Sequence, residues 1–253
     1  MFTPRRAGLA SFLTVSFLGL SFSAYASPPP PLSRGDVEGI VKEYIQNHPE
    51  VLMQALQHYQ DKQKAEAAVQ AQKTLVERKK DIFHDATAPV AGNPKGDVTI
   101  VEFFDYHCGY CKKMVPAVSK LITEDKKLRV VFKEYPILAP DSSLAARASL
   151  AVWRLKPEKY FAYHTALMDH KGGFDEAMLV EEAKKIGIDE DAFKKEMARP
   201  ELNDVLQKNQ ELASAINVHG TPAFIVGDQL IGGATSYENL KKQVEDARQK
   251  KAG

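Results

Sequence analysis

Seven residues, Val98-Thr99-Ile100-Val101-Glu102-Phe103-Phe104, form a nearly unbroken apolar run rich in β-branched side chains. Such a run cannot face water on either side, so it predicts a central strand in a sheet covered on both faces, an α/β layer structure. Cys108 and Cys111, the only two cysteines in 253 residues, follow directly. Over Gly109–Glu124, Met114, Val115, Val118, Leu121 and Ile122 recur at helical spacing, and residues 128–135 read as the next strand. The order is strand, Cys-x-x-Cys turn, helix, strand.

The surrounding chain frames this unit. Apolar residues at 44% and charged residues at 26% are those of an ordinary globular protein. A formal net charge of +1, with no basic stripe, speaks against nucleic acid as a partner. Residues 1–26 read as an export signal: Arg5 and Arg6, an apolar stretch over residues 9–22, then Ala24-Tyr25-Ala26 as a small-x-small cleavage site. The stretch is shorter than the about 20 apolar residues of a spanning helix. The mature chain is therefore expected in an oxidising compartment, where two thiols can pair.

A Pro-rich start over residues 27–31 gives way to Val37, Ile40, Val41, Tyr44 and Ile45 at helical spacing. His48-Pro49 interrupts the pattern, and Asn47 with Glu50 has the form of a capping box that opens a second helix. Beyond Leu52, Leu56 and Tyr59, residues 60–80 are rich in Ala, Gln, Glu and Lys. A long helix with so little apolar surface cannot be stable alone. It packs on a partner chain or stands in solvent as a linker. Residues 89–97 read as a loop boundary. The domains expected are thus 1–26 signal peptide, 27–88 helical oligomerisation region and 89–253 globular domain.

From 141 to about 216 the patterns are helical, with Trp153, Phe161 and Tyr163 read as core. Ala223-Phe224-Ile225-Val226, Gly227-Asp228 and Gln229-Leu230-Ile231 then read as a β-hairpin, and Thr235 with Glu238 as the capping box of a last helix. Strands flank the helical block, so residues of about 140–216 are an insertion into one α/β domain.

A disulfide between Cys108 and Cys111 closes too short a loop to reinforce a fold. Zinc needs a second ligand pair, which would have to come from dispersed histidines, and haem attachment needs a histidine where Lys112 stands. Redox exchange remains. Cys108, at a helix start where free N–H groups favour a thiolate, is the candidate nucleophile, and Cys111, one turn on, resolves its mixed disulfide. Glu102 is read as a buried proton acceptor for Cys111, with a solvent-facing strand end as the alternative, and Lys133 as its cross-strand partner. Pro222 reads as a cis proline beside the cysteines, presenting the Thr221 backbone to an extended substrate, or as an ordinary strand-entry proline.

With Val101-Glu102-Phe103-Phe104-Asp105-Tyr106, Cys108-Gly109-Tyr110-Cys111, Lys133 and Thr221-Pro222 in hand, the chain resembles exported thioredoxin-fold proteins of the DsbA family. Pro89-Val90-Ala91-Gly92-Asn93-Pro94 is similar to the ScsC-like and Com-type members with an extra N-terminal helical region, which residues 36–81 fit. The resemblance implies a thioredoxin fold with an inserted helical domain and a periplasmic location. It implies no cofactor beyond a redox-active Cys108–Cys111 disulfide and no metal. The catalytic set is Cys108, Cys111, Glu102, Lys133 and Pro222, with Thr221, Gly109 and Tyr110 toward substrate.

DsbA oxidases typically carry Pro-His between the cysteines and Val before the proline, whereas Gly109-Tyr110 and Thr221 are similar to the periplasmic isomerases. Without the histidine the Cys108 thiolate loses a donor, which makes the disulfide less oxidising. The expected activity is that of a homo-oligomeric disulfide isomerase and reductase, a dimer or trimer. It acts on unfolded or misoxidised exported proteins with a membrane redox partner of DsbD or DsbB type. A DsbA-like oxidase is the alternative, and a periplasmic holdase or copper-binding protein is the alternative of another class.

Overall fold

A computed structural model describes residues 31–252; the leader lies outside the described residues. Two units divide at Gln57 and His58. The first holds α1 (Arg34–Asn47) and the opening turns of α2 (Pro49–Glu77). A capping box starts α1: Ser33 Oγ accepts from the Asp36 N–H at 3.2 Å, and Asp36 Oδ2 accepts from the Ser33 N–H at 2.9 Å. Asn47 closes that helix, and His48 Nδ1 and Glu50 Oε1 meet at 3.1 Å where α2 begins. Val37, Ile40, Val41, Tyr44, Leu52 and Leu56 are exposed on the isolated chain. Among the described residues no helix is long and apolar enough to cross a membrane.

The second unit is built on a five-stranded sheet. In chain order come α3 (Lys79–Phe83), β1 (Val90–Gly92), β2 (Val98–Phe104), α4 (Gly109–Glu124), β3 (Leu128–Glu134), five helices, β4 (Ala223–Val226), β5 (Gln229–Gly232) and α10 (Tyr237–Ala252). The sheet order is β1-β3-β2-β4-β5, with β2 and β3 parallel and the other pairs antiparallel. β1 falls inside the expected loop, because three residues are too few to show a period. The final helix is capped by Ser236, whose Oγ accepts from the Asn239 N–H at 3.1 Å, rather than by Thr235.

Alternation along β2 divides the core. Ile100 and Phe104, with Val130, Phe132 and Phe224, pack under Cys111, Met114, Val118 and Leu121 of α4 and against the helical insertion. Val101 and Phe103, with Val131 and Ile225, pack on the other face against Leu75, Ile82, Phe83, Leu212 and Ile216. Both faces are covered, which is why β2 reads as continuous apolar sequence. The second cluster also moves the domain boundary. Leu75, Ile82, Phe83 and Ala88 belong to this core, so the unit starts near His58 and not at 89.

The insertion between β3 and β4 comprises α5 (Ser142–Leu155), a 3₁₀ turn (Pro157–Lys159), α6 (Tyr160–Asp169), α7 (Glu176–Lys185), α8 (Glu190–Met197) and α9 (Glu201–Ala215). Tyr163 is buried and donates to Leu179 O at 2.9 Å, while Trp153 and Phe161 pack against the same core partly exposed. The fold is a thioredoxin-type α/β domain with a helical insertion.

The buried Asp105 fastens the loop after β2 to the start of the insertion. Its Oδ1 accepts from the His107 N–H (2.8 Å) and the Ser142 hydroxyl (2.9 Å), its Oδ2 from the N–H groups of Ile137 (2.7 Å) and Leu138 (2.9 Å). Asp105→Ala leaves four donors without a partner and is expected to lower stability by on the order of 3 kcal/mol or more. Urea unfolding should record this as a lower midpoint at constant slope.

Candidate functional site

β2 delivers the chain to the top of the sheet, and α4 begins there on a sulfur atom. Cys108 is the N-cap of α4: its Sγ accepts from the Cys111 N–H at 3.2 Å, in the place an Asp or Ser oxygen usually takes. The Cys108 N–H donates to Asp105 O at 3.0 Å. Across the site the Thr221–Pro222 peptide bond is cis, and Thr221 O lies 3.3 Å from Cys108 Sγ. Both cysteines are free thiols. Gly109 and Tyr110 are exposed, Tyr110 at 63%, with Lys113 Nζ 5.3 Å above the tyrosine ring and open space around the Gly109 Cα.

The two sulfurs differ by environment. The Cys108 thiol is lowered to about 6. The Cys111 thiol as donor is the main cause, supported by the Thr221 hydroxyl and the Cys111 and Tyr110 N–H groups, against the opposing effect of burial. The Thr221 hydroxyl is buried with no other partner, so it is available to the thiolate. Burial pushes the Cys111 thiol far up, and its neighbours Cys108 and Glu102 add to this. One sulfur is an anion at neutral pH; the other keeps its proton.

Glu102 sits on the α4 face of the sheet, 3% exposed, paired in register with Phe132 and Phe224. Among the described residues its carboxyl has no hydrogen-bond partner, and burial together with the Cys108 charge pushes it up to about 8. The strand-end alternative is thereby excluded. Lys133 is not its partner. Register pairs Lys133 with Phe103, which turns its side chain to the opposite face, where Nζ lies 2.5 Å from Asp85 Oδ2. Burial lowers the Lys133 ammonium against the pull of Asp85. For Asp85, burial alone would raise the carboxyl, but the Lys133 and Thr87 hydrogen bonds outweigh it and bring it down. Parity along parallel strands decides this, and the sequence showed only that both residues are charged in apolar runs.

Three features had no role assigned from the sequence. Asp105 is the loop anchor described above. His107 Nε2 lies 2.8 Å from Asp141 Oδ1 and its ring packs on Phe174 at 4.9 Å. Glu134, on the Glu102 face, is fully buried and accepts from the Tyr160 hydroxyl at 3.3 Å. The Tyr106 hydroxyl stands between Glu134 Oε1 (3.3 Å), Ser149 Oγ (2.6 Å) and His164 Nδ1 (3.2 Å). Burial pushes the Glu134 carboxyl well above the usual carboxylate range and lowers His164 to about 3, so it disfavours charge on both, and the network ties the cysteine loop to α5 and α6. His219 is exposed and meets Asn217 Oδ1 at 2.7 Å. Among the described residues no three His, Cys, Asp or Glu side chains converge as a metal site.

Residues 99–245 match the family model of the DSBA-like thioredoxin domain, and residues 34–66 match that of the Copper resistance protein ScsC N-terminal domain. Disulfide bond formation protein D of Bacillus subtilis is 26% identical over 167 residues, 62% of this chain and 75% of that protein. The thiol-disulfide exchange protein alpha-DsbA2 from Wolbachia pipientis superposes with a TM-score of 0.67 at 36% identity, covering 72% of this chain and 97% of that one. Proteus mirabilis ScsC in a transitional conformation gives 0.65 at 29% identity, covering 85% and 97%. The chain also spans about a quarter (24%) of Na(+)/H(+) antiporter NhaA 1 of Salinispora arenicola, at 29% identity over 160 residues.

Alkylation of Cys108 should follow a single titration with its midpoint near 6, reactivity being lost as pH falls through that value. Thr221→Val removes one donor and should move the midpoint up by roughly half a unit to one unit. For Glu102 the sign is opposite: the native state holds the proton up to about 8, so wild-type stability falls as pH rises from the ordinary carboxyl value to there. Glu102→Gln is expected to be more stable than wild type at neutral pH by on the order of 3 kcal/mol, with the gain vanishing in acid. Denaturant unfolding across that range measures it.

Proposed function

The chain belongs to the DsbA-like thioredoxin family, and from that premise we propose that it is an exported thiol:disulfide oxidoreductase, a periplasmic disulfide isomerase and reductase. One observation carries the reading: the Cys108 sulfur caps a helix beside the cis Thr221–Pro222 peptide while Cys111 lies buried one turn below it, on the face of the sheet that carries the buried Glu102.

The Cys108 thiolate attacks a client disulfide. The client S–S bond breaks, the Cys108–client bond forms, and the other client sulfur leaves as a thiolate. A client thiolate attacking this mixed disulfide makes a new client pair and returns Cys108 as the anion, with no net transfer of electrons. In the mixed disulfide the Cys108 charge that helps hold the Glu102 proton is gone, so in the reductive exit Glu102 ionises, and Cys111 passes its proton to that carboxylate and attacks Cys108 Sγ. The client departs as a thiolate, two electrons richer, and the Cys108–Cys111 disulfide is left for a membrane dithiol partner of DsbD type to reduce. A DsbB-type partner would serve the oxidase alternative, in which electrons run the other way.

The exposed apolar stripe of α1 and of the start of α2 supports an oligomer, since a lone soluble chain rarely leaves so many large apolar residues uncovered. Copies joined there would shield Cys108 from an oxidase partner, keep it reduced, and so favour isomerisation. Gly109-Tyr110 and Thr221 support the same direction, and the reactive face at Gly109 is open to a bulky client.

The test is refolding of ribonuclease with scrambled disulfides. Full-length protein should restore activity, Cys108→Ser should abolish this, and Cys111→Ser should accumulate a mixed disulfide visible on a non-reducing gel. A version beginning at His58 should reshuffle poorly while still reducing a small disulfide. Equal reshuffling by that version would remove the isomerase reading and leave the oxidase one.

A further inference from the structure

We infer that the end of the sheet opposite the cysteines carries a second binding site, a cationic cavity that takes a phosphate ester with a small apolar body. It stands apart from thiol exchange. The cavity, about 490 Å³, lies where β2 and β3 begin, and α3, the turn after β4 and the end of α10 close around it. From Val98 in its wall, β2 runs roughly 20 Å to Phe104 and the cysteine loop. Lys79, Arg129, Lys250 and Lys251 line the cavity together with His84, against one carboxylate among the described residues, that of Asp228. Folding gathers these cations from three parts of the chain, α3, β3 and α10, so no single solvated helix face accounts for them.

The acids of the adjoining chain are already engaged. Asp81 pairs with Arg78 at 2.5 Å, Asp85 with Lys133 at 2.5 Å, Asp97 with Arg248 at 2.8 Å and Asp228 with Lys250 at 3.3 Å. Lys251 Nζ reaches only a backbone oxygen, Asp97 O, and among the described residues the side chains of Lys79 and His84 have no hydrogen-bond or ion-pair partner. Arg129 is the clearest case. It is partly buried, burial lowers its guanidinium, and its partner is again a backbone carbonyl, Phe83 O. A guanidinium has five N–H donors in a planar fork, so donors remain for the oxygens of an anion.

Lining and volume select the occupant. Cations that converge from separate elements suit a phosphate monoester, which carries close to two charges at neutral pH and three acceptor oxygens, better than a carboxylate with one charge and two oxygens. The volume is that of a site for a small organic molecule, about 300–1,000 Å³, and far more than a free phosphate fills. Phe83, Pro94, Val98 and Ala247 supply apolar wall for the remainder. Such an ester is either a soluble metabolite or the headgroup end of a lipid, and the same cavity chemistry serves both.

The experiment is calorimetric titration of the full-length protein with 1-naphthyl phosphate, with its two halves, inorganic phosphate and 1-naphthol, and with phosphatidylcholine vesicles containing phosphatidic acid. At least one of the two esters is expected to bind about tenfold or more tighter than inorganic phosphate or 1-naphthol. Binding of the naphthyl ester without vesicles assigns a soluble ligand; binding to the vesicles alone assigns a lipid. The double change Lys79→Glu, Lys251→Glu, at two exposed positions, should weaken the bound ester about tenfold or more, and Arg129→Gln should do the same, with urea unfolding recording any loss from the Phe83 tie. Cys108→Ser should bind as wild type does. No binding of either ester, unaltered affinity in the double variant, or binding lost with Cys108→Ser overturns the site and leaves thiol exchange standing.

Discussion

The hydrogen bond from the Cys111 N–H to Cys108 Sγ sets both the local fold and its chemistry. As a cap it satisfies one of the free N–H groups at the start of α4. As an electrostatic contact it brings a partial positive charge to a sulfur that is itself at the positive end of the helix. The two roles reinforce each other, because the better the cap, the more stable the anion. Reduced and thiolate states are thus stabilised together with the helix, whereas a disulfide withdraws the charge from that cap. Placement of the helix start is therefore one determinant of the Cys108 thiolate, beside the Cys111 thiol and the Thr221 hydroxyl.

The second determinant is parity along the sheet. Glu102 points to the α4 face and so meets the underside of Cys111; Lys133, one register step out, points away and is neutralised by Asp85. Had Lys133 shared the Glu102 face, an ion pair would have held the carboxyl charged and low, of little use to a thiol with a strongly raised proton affinity. Isolation lifts Glu102 to about 8, closer to what proton exchange near neutral pH requires. The cost is a buried, unpaired group in the core, a loss of stability located at the site where chemistry needs it.

Much of this was legible beforehand. The apolar run of β2, the Cys-x-x-Cys at a strand-to-helix junction, the helical block and the hairpin after Pro222 are patterns of a few residues repeating at a fixed period, and they survive folding because burial created them. What stayed hidden depends on relations between distant residues. The Glu102–Lys133 pairing was misread because charge is visible in sequence and strand face is not. Asp105 and Tyr106 entered only as part of a family motif and Glu134 had no part, since no local pattern says that Ser142, Ser149 and His164 will fold back upon them. The domain boundary slipped for a related reason: Leu75, Ile82 and Phe83 are too sparse to signal a core that the opposite face of the sheet completes.

The insertion is usually the part of such a chain that sequence treats as separate, yet its attachment argues otherwise. Asp105 and Tyr106, two consecutive residues ahead of His107 and Cys108, both spend their polar atoms on it, one through its carboxyl at the start of α5, the other through a buried hydroxyl network. Both fastenings are buried, so salt screens neither strongly, and burial pushes the Glu134 carboxyl well above the usual carboxylate range. The cysteine loop is consequently held against the insertion at two adjacent residues. The chain after β3 is thereby fixed relative to the reactive sulfur, since the residue whose side chain holds it also accepts the Cys108 N–H through its carbonyl.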